Sequence, residues 1–134
     1  MSATALSAKP ILLVEDDSVD AMTVRRALKE VGSARPLVHQ INGEEALNHL
    51  HGADDNALPG LVLLDLNMPR MNGLEFLEHK QADDRLRDIP VVVLTTSTNA
   101  RDIERSYELD AKGYIVKSID YGEFVDSIRH LDIY

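Results

Sequence analysis

Cysteine is absent from this chain, which excludes a disulfide framework, a thiol nucleophile and a thiolate metal site. Long apolar runs are also missing. No segment approaches the ~18 consecutive apolar residues of a membrane-spanning helix, and the first ten residues lack the apolar core of a secretory signal. We therefore expect a cytoplasmic protein.

Positive charge is scarce, since 14 Lys and Arg face 23 Asp and Glu and the formal net charge is -9. Binding to nucleic acid or to anionic membranes depends on basic residues that neutralise phosphates, so we expect neither partner. The 134 residues, 44% hydrophobic and 28% charged, suffice for one domain with its own core. We place this domain at residues 10–134, after a flexible tail at residues 1–9.

Short apolar segments alternate five times with amphipathic stretches, a pattern typical of a parallel sheet covered by helices on both faces. The predicted strands are Ile11 to Val14, Leu37 to Ile41, Leu61 to Leu64, Val91 to Leu94 and Tyr114 to Val116. His39 and Gln40 interrupt the second segment, which favours an edge position. The predicted fold class is α/β, with a doubly wound five-stranded parallel sheet.

Helix boundaries can also be predicted. Two apolar stripes at helical spacing should pack on the sheet: Ala21, Val24, Leu28 and Val31, and Phe124, Ile128 and Leu131. Asp17 or Ser18 can cap the first helix and Gly32 can end it. The candidate caps of the fourth helix are Ser97, Thr98 and Asn99. The segment from His51 to Gly60 is interpreted as a solvated loop.

Polar residues follow the predicted strands at the sheet end where doubly wound folds bind ligands. They are Glu15 and Asp16 after the first strand, Asp65 after the third, Thr95 after the fourth and Lys117 after the fifth. Converging carboxylates repel one another unless a cation joins them, and oxygen ligands suit Mg²⁺. The lysine and the threonine hydroxyl could hold a dianionic phosphoryl group. The pattern therefore predicts a magnesium site and phosphoryl transfer.

Each of these residues also has a simpler interpretation. Asp65 could be a turn residue, Glu15 and Asp16 could be solvated charges near a helix N-terminus, and Lys117 could be an ordinary surface lysine. Tyr114 could pack in the core or at an interface. Four of the five histidines fall in or near predicted helices among polar neighbours, so we expect no zinc site: His49, His51, His79 and His130.

Four segments resemble successive signature segments of bacterial response-regulator receiver domains: ILLVEDDS, LVLLDLNMPRMNG, IPVVVLTTS and GYIVKS. The resemblance covers nearly the whole chain and implies a flavodoxin-like strand order, 2-1-3-4-5. The segment TTS, the run SYEL and the Ser after Lys117 look most like the small regulators that partner bacterial and cyanobacterial phytochromes.

The resemblance implies a role for each site residue. Asp65 is the phosphoacceptor. The implied Mg²⁺ ligands are Asp65, Asp16 directly, Glu15 mostly through a metal-bound water, and Asn67 through its backbone carbonyl. The implied phosphoryl-binding groups are the Thr95 hydroxyl, the Thr96 backbone N–H and the Lys117 ammonium. Thr95 and Tyr114 form the implied switch, in which Tyr114 rotates as Thr95 moves inward.

The implied function is that of a stand-alone response regulator, not an enzyme. It takes a phosphoryl group from a sensor histidine kinase of a phytochrome-type phosphorelay, such as a bacteriophytochrome, and signals to a downstream protein or phosphotransfer partner. The fourth helix, fifth strand and fifth helix form the implied output face. A phosphatase with an aspartate nucleophile is a rival function. Such phosphatases resemble the pattern Asp-x-Asp at the nucleophile, whereas Leu66 and Asn67 follow Asp65, so no second acid is left to protonate a leaving group. A degenerate, unphosphorylated scaffold is a third alternative.

Two further expectations concern the last third of the chain. Most receiver domains carry Pro where this chain has Ser118, after a peptide that is typically cis. A cis bond to Ser costs ~2.5–4 kcal/mol, so the fold either holds that strain or contains a trans peptide. Homodimerisation through the output face is motivated by a concentration of apolar and aromatic residues: Tyr107, Tyr121, Phe124, Leu131, Ile133 and Tyr134.

Overall fold

A computed structural model of the protein describes residues 9–117 and 120–134, without the side chains of residues 132 and 133. The expected tail lies outside these ranges except for Lys9, whose carbonyl oxygen accepts a hydrogen bond from Arg35 Nε at 2.8 Å. The peptide between Lys117 and Ser118 also lies outside the described residues. No helix within the described ranges is both long and apolar enough to cross a membrane.

Five strands alternate with five helices along the chain. The strands are β1 (Ile11–Val14), β2 (Leu37–Gln40), β3 (Leu61–Leu64), β4 (Val91–Thr95) and β5 (Gly113–Val116). The helices are α1 (Ser18–Glu30), α2 (Gly43–Gly52), α3 (Gly73–Gln81), α4 (Ala100–Glu108) and α5 (Tyr121–Arg129). Short 3₁₀ turns occur at Asp55–Ala57 and His130–Ile133. All five predicted strands are confirmed, with ends that differ by at most one residue.

The strands are parallel and follow the order β2-β1-β3-β4-β5, so the predicted fold class and strand order are confirmed. Successive side chains of a strand point to opposite faces of the sheet. Leu12 and Val14 accordingly pack against α2 and α3, whereas Ile11 and Leu13 pack against α1 and α5. Both faces of β1 are therefore buried, which explains its continuous apolar sequence. The interrupted strand β2 lies at the edge and is half-buried.

Local capping fixes where the helices begin. Asp17 caps α1 by accepting hydrogen bonds from the backbone N–H groups of Val19 and Asp20, and Asn99 caps α4. The prediction of a loop from His51 to Gly60 was wrong at its start, because His51 and Gly52 form the last turn of α2. Arg85 accounts for this longer helix, since its guanidinium donates to the carbonyl oxygen of Leu50 near the helix end.

Candidate functional site

The carboxyl ends of β1 and β3 place two acids side by side. Val14 and Leu64 are paired in the sheet, so Glu15 and Asp65 leave adjacent strands at the same level. Both are almost fully buried, at 1% and 6% exposure, whereas Asp16 is exposed. One carboxylate oxygen from each of Glu15, Asp16 and Asp65 lies within 4.8 Å of the others. The predicted convergence of three acids is therefore present.

Lys117 brings a positive charge into this acidic cluster. Its Nζ lies 2.6 Å from Glu15 Oε1, 2.9 Å from Asp20 Oδ2 and 3.8 Å from Asp65 Oδ2. The backbone N–H of Lys117 donates to the carbonyl oxygen of Thr95 at 2.8 Å, which anchors the residue at the end of β5. The sequence analysis did not identify Asp20. Its place in the first turn of α1, three residues after the capping residue Asp17, was the available signal.

Burial and pairing shift the pKa values of the central ion pair. Burial raises the pKa of Glu15 to about 7, and the charge of Asp65 adds to this rise, while the hydrogen bond from Lys117 opposes it. Burial alone would lower the pKa of Lys117, but the hydrogen bonds to Glu15 and Asp20 outweigh it and raise that pKa. The ammonium is therefore fully charged at neutral pH, whereas Glu15 titrates near neutrality.

Thr95 and Asn67 form the polar wall next to the acids. Thr95 is fully buried as the last residue of β4, and its hydroxyl oxygen accepts hydrogen bonds from Asn67 Nδ2 at 3.4 Å and from the backbone N–H of Ser97 at 3.3 Å. The backbone N–H of Asn67 donates to Asp65 Oδ1 at 3.4 Å. Thr96 is exposed directly after the strand. The structure thus brings Asn67 and Thr95 together beside Asp65.

Tyr114 of β5 contacts the loop that follows β4. Its hydroxyl donates to the carbonyl oxygen of Ser97 at 2.9 Å, and Ser97 Oγ donates to Asp102 Oδ2 of α4 at 2.8 Å. Burial raises the pKa of the Tyr114 hydroxyl, so it remains a donor at neutral pH. The sequence analysis considered Ser97 only as a helix cap. Its position two residues after Thr95 was a signal for its second role.

His39 makes a contact near the site that the sequence analysis also missed. Its Nε2 lies 2.6 Å from the carbonyl oxygen of Glu15. Among the other histidines, His51 contacts Asp83 Oδ2 at 3.1 Å and His130 contacts the carbonyl oxygen of Asp126 at 2.8 Å. The His51 contact joins α2 to the segment after α3, and the His130 contact lies at the end of α5.

Residues 11–129 match the family described as the response regulator receiver domain. The chain is a response regulator receiver domain. The match runs from the start of β1 to the end of α5, and it includes all of the predicted site residues. The predicted family resemblance is confirmed, and proteins of this family act in signalling.

Three relatives illustrate where this receiver domain lies within its family. FilR2, a probable methanogenesis regulatory protein of Methanothrix harundinacea, is 36% identical over 126 residues, covering 92% of this chain and 81% of that protein. The response regulator Rcp1 of Synechocystis sp. is 37% identical over 127 residues, covering 92% and 86%. The crystal structure of the phosphorylated cyanobacterial phytochrome response regulator RcpA has a TM-score of 0.83 at 36% identity, covering 92% and 91%.

The acidic cluster of this receiver domain fits a divalent cation. Carboxylate oxygens are the preferred ligands of Mg²⁺ and Mn²⁺, and Glu15, Asp16 and Asp65 supply three of them within 4.8 Å of one another. A crystal structure of the Mn²⁺-bound form of Rcp1 has a TM-score of 0.82 at 35% identity, covering 94% of this chain and 93% of Rcp1. The donor set of this chain is thus of the kind that such ions require.

Proposed function

We propose that this receiver domain accepts a phosphoryl group on Asp65 from a phosphohistidine of a sensor histidine kinase, with Mg²⁺ as cofactor. The observation that carries this proposal is the convergence of Glu15, Asp16, Asp65 and Lys117 at one end of the sheet. The other carboxylates of the cluster and the ammonium surround Asp65. Asn67 links Asp65 to the Thr95 hydroxyl, because its backbone N–H donates to Asp65 and its side-chain amide donates to Thr95. This arrangement favours a group that carries negative charge and bridges a cation and a lysine.

In the proposed step, an oxygen of the Asp65 carboxylate attacks phosphorus and forms a new P–O bond. The P–N bond to the kinase histidine breaks, and the released ring nitrogen takes up a proton. Asp16, Asp65 and the Asn67 carbonyl would hold Mg²⁺, with Glu15 acting mostly through a metal-bound water, and the bound ion would supply positive charge to offset that of the transferred group. The residues of this chain contribute by positioning. Lys117, the Thr95 hydroxyl and the backbone N–H of Thr96 stabilise the phosphoryl oxygens.

We infer that phosphorylation alters the face formed by α4, β5 and α5. A phosphoryl group adds roughly -1.5 to -2 charges, which attract the Thr95 hydroxyl and Lys117. Movement of Thr95 breaks its hydrogen bond with Ser97, and Ser97 is also the partner of Tyr114. A groove along this face is lined in part by Tyr107, Tyr114 and Ile115 and suits contact with a partner protein. The output is therefore protein binding.

We propose that the kinase belongs to a phytochrome-type phosphorelay in the cytoplasm. RcpA, a cyanobacterial phytochrome response regulator, is similar over 92% of this chain, and the bacteriophytochrome response regulator AtBRR is 38% identical over 94% of it.

Phosphotransfer profiling tests both proposals. Candidate kinases carrying labelled phosphohistidine, some linked to phytochromes and others not, are mixed with the wild type, Asp65→Asn and Asp84→Asn. Asp84 is an exposed acid that pairs with Arg87 away from the site, so its neutral variant is a matched control. We expect label on the wild type and on Asp84→Asn, fastest from a phytochrome kinase, and none on Asp65→Asn. Wild-type labelling of Asp65→Asn contradicts the acceptor assignment.

Homodimerisation through the α4-β5-α5 face is a separate proposal. Fewer of its apolar residues are exposed than the sequence indicated. Phe124 and Leu131 are buried in the core, and Tyr121 and Tyr134 pack against it. The side chain of Ile133 lies outside the description. Exposed apolar surface on this face comes from Tyr107 and Val116, at 49% and 42% exposure. Light scattering at increasing concentration, with and without a phosphoryl mimic, tests for a dimer. A constant monomer mass contradicts it.

A further inference from the structure

The ammonium of Lys117 has more than one anionic partner in the site. Its two short contacts are with Glu15 at 2.6 Å and with Asp20 at 2.9 Å, whereas Asp65 lies at 3.8 Å. A hydrogen bond between N and O spans roughly 2.7–3.2 Å, so Asp65 is outside hydrogen-bonding range. Lys117 thus donates hydrogen bonds to Glu15, directly after β1, and to Asp20 of α1, and not to the proposed acceptor.

Asp20 is the partner that the proposed phosphoryl transfer does not use. It belongs to the first turn of α1, and its side chain is 40% exposed, compared with 13% for Lys117. A cavity of about 60 Å³ adjoins the pair and is lined by Asp20, Thr23, Val24, Lys117 and Phe124. The lysine side chain therefore lies against α1 and α5, and Asp20 contacts its ammonium from α1.

These positions set up a competition for one positive charge. An ammonium behaves as a compact point charge on a flexible stem, and it moves toward the stronger anionic field. A phosphoryl group on Asp65 adds anionic oxygens beside the Lys117 ammonium, which lies 3.8 Å from Asp65 Oδ2, and attraction to those oxygens draws the ammonium toward Asp65. The Asp20 carboxylate opposes that movement because it attracts the same charge toward α1.

We propose that Asp20 is a positioning residue that draws Lys117 away from Asp65 and thereby weakens binding of the phosphoryl group. This inference rests on the proposed function, since it concerns the same site. Asp20 stabilises the unphosphorylated arrangement. Its effect on phosphoryl affinity is modest, because a partly exposed ion pair contributes little and is screened by solvent.

Beryllofluoride, a phosphoryl mimic, provides an equilibrium test at saturating Mg²⁺. The concentration for half-saturation is measured by NMR titration for the wild type, Asp20→Asn, Asp20→Glu and Glu30→Gln. Glu30 is an exposed acid at the other end of α1, so its variant removes the same charge from the same helix away from Lys117. Asp20→Ser is a second neutral variant if the Asn substitution unfolds the chain.

We expect Asp20→Asn to lower the half-saturating concentration by roughly two- to fivefold, the range for a partly exposed ion pair. Asp20→Glu and Glu30→Gln should match the wild type, because the former restores an anion and the latter lies elsewhere. An unchanged or raised value for Asp20→Asn overturns the inference, as does an equal effect of Asp20→Glu. If the wild type binds no beryllofluoride, the proposed function falls and the role of Asp20 with it. Wild-type binding that Asp65→Asn abolishes supports the function alone.

Discussion

The hydroxyl of Tyr114 and the carbonyl oxygen of Ser97 are joined by a hydrogen bond of 2.9 Å between β5 and the loop after β4. The backbone N–H of the same Ser97 donates to the Thr95 hydroxyl oxygen at 3.3 Å. One loop residue therefore contacts both members of the proposed switch. Thr95 and Tyr114 need not touch to respond to each other, because a shift of Ser97 changes the surroundings of both.

Tyr114→Phe removes this connection and leaves the aromatic ring in place. We expect a loss of about 1 kcal/mol in the free energy of unfolding, the usual net value of one hydrogen bond. Urea denaturation measures it. Tyr107→Phe is the matched control, since Tyr107 is 49% exposed and its hydroxyl should contribute little. Equal stability of the two variants would show that the Tyr114 bond does not hold the loop.

Lys117→Met keeps an apolar stem but removes the charge that faces buried Glu15. Removing one partner of a buried ion pair costs roughly 3 kcal/mol, and we expect this loss at alkaline pH. At acidic pH the loss should shrink. The pKa of Glu15 is already raised to about 7 and rises further without Lys117, so protonation removes the uncompensated charge.

The control for this pH dependence is Lys112→Met. Lys112 pairs with Asp110 at the surface, with both side chains nearly half-exposed. Its substitution should cost little at either pH, because surface pairs are weak. Urea denaturation of both variants and the wild type, on either side of neutrality, measures the difference. A Lys117→Met penalty that is constant with pH would indicate lost packing rather than an unpaired Glu15 carboxylate.

Magnesium affinity should fall as pH decreases below about 7, the raised pKa of Glu15. A folded-state pKa above the usual 4.5 means that Glu15 binds a proton through this range, and the cation must displace it. One displaced proton gives at most about a tenfold change in affinity per pH unit, with a plateau above the pKa. Calorimetric titration with Mg²⁺ at several pH values measures the slope.

Two substitutions assign that slope to its residue. Glu15→Gln should weaken Mg²⁺ binding and flatten its pH dependence, because the titrating group is gone. Asp16→Asn should weaken binding but keep the slope, since Glu15 remains buried beside Asp65. A slope that persists in Glu15→Gln would assign the linked proton to another group.

The sheet could be predicted because each central strand is buried on both faces and so carries a continuous apolar sequence. Strand ends were accurate to one residue for the same reason. The start of the loop after α2 could not be predicted from local composition. His51 and Gly52 remain helical because Arg85, more than thirty residues away, donates to the Leu50 carbonyl at 2.9 Å.

The acids at the site could also be predicted, because they follow strands and the end of a parallel sheet is a shared location. This rule did not predict Asp20 or Ser97. Asp20 belongs to a helix, and its contact with Lys117 spans 97 residues of sequence. Ser97 contacts Thr95 and Tyr114 through its backbone groups, which every residue type except proline offers in full. Contacts of these two kinds depend on how α1 and the β4–α4 loop pack, and sequence pattern carries little of that.

Gly73 at the start of α3 illustrates a constraint on the proposed acceptor itself. A Cβ there would lie 2.5 Å from the carbonyl oxygen of Asp65 and 2.7 Å from Leu66 Cα. Both contacts are with backbone, so Gly73→Ala must displace the segment that carries Asp65. We expect a loss of about 1–3 kcal/mol in the free energy of unfolding, as for other overpacked sites, together with slower phosphorylation. Gly52→Ala is the control, since a Cβ there meets nothing within 4 Å, and alanine favours the last turn of α2. Urea denaturation and phosphotransfer assays measure both effects, and equal behaviour of the two variants would mean that α3 adjusts without moving Asp65.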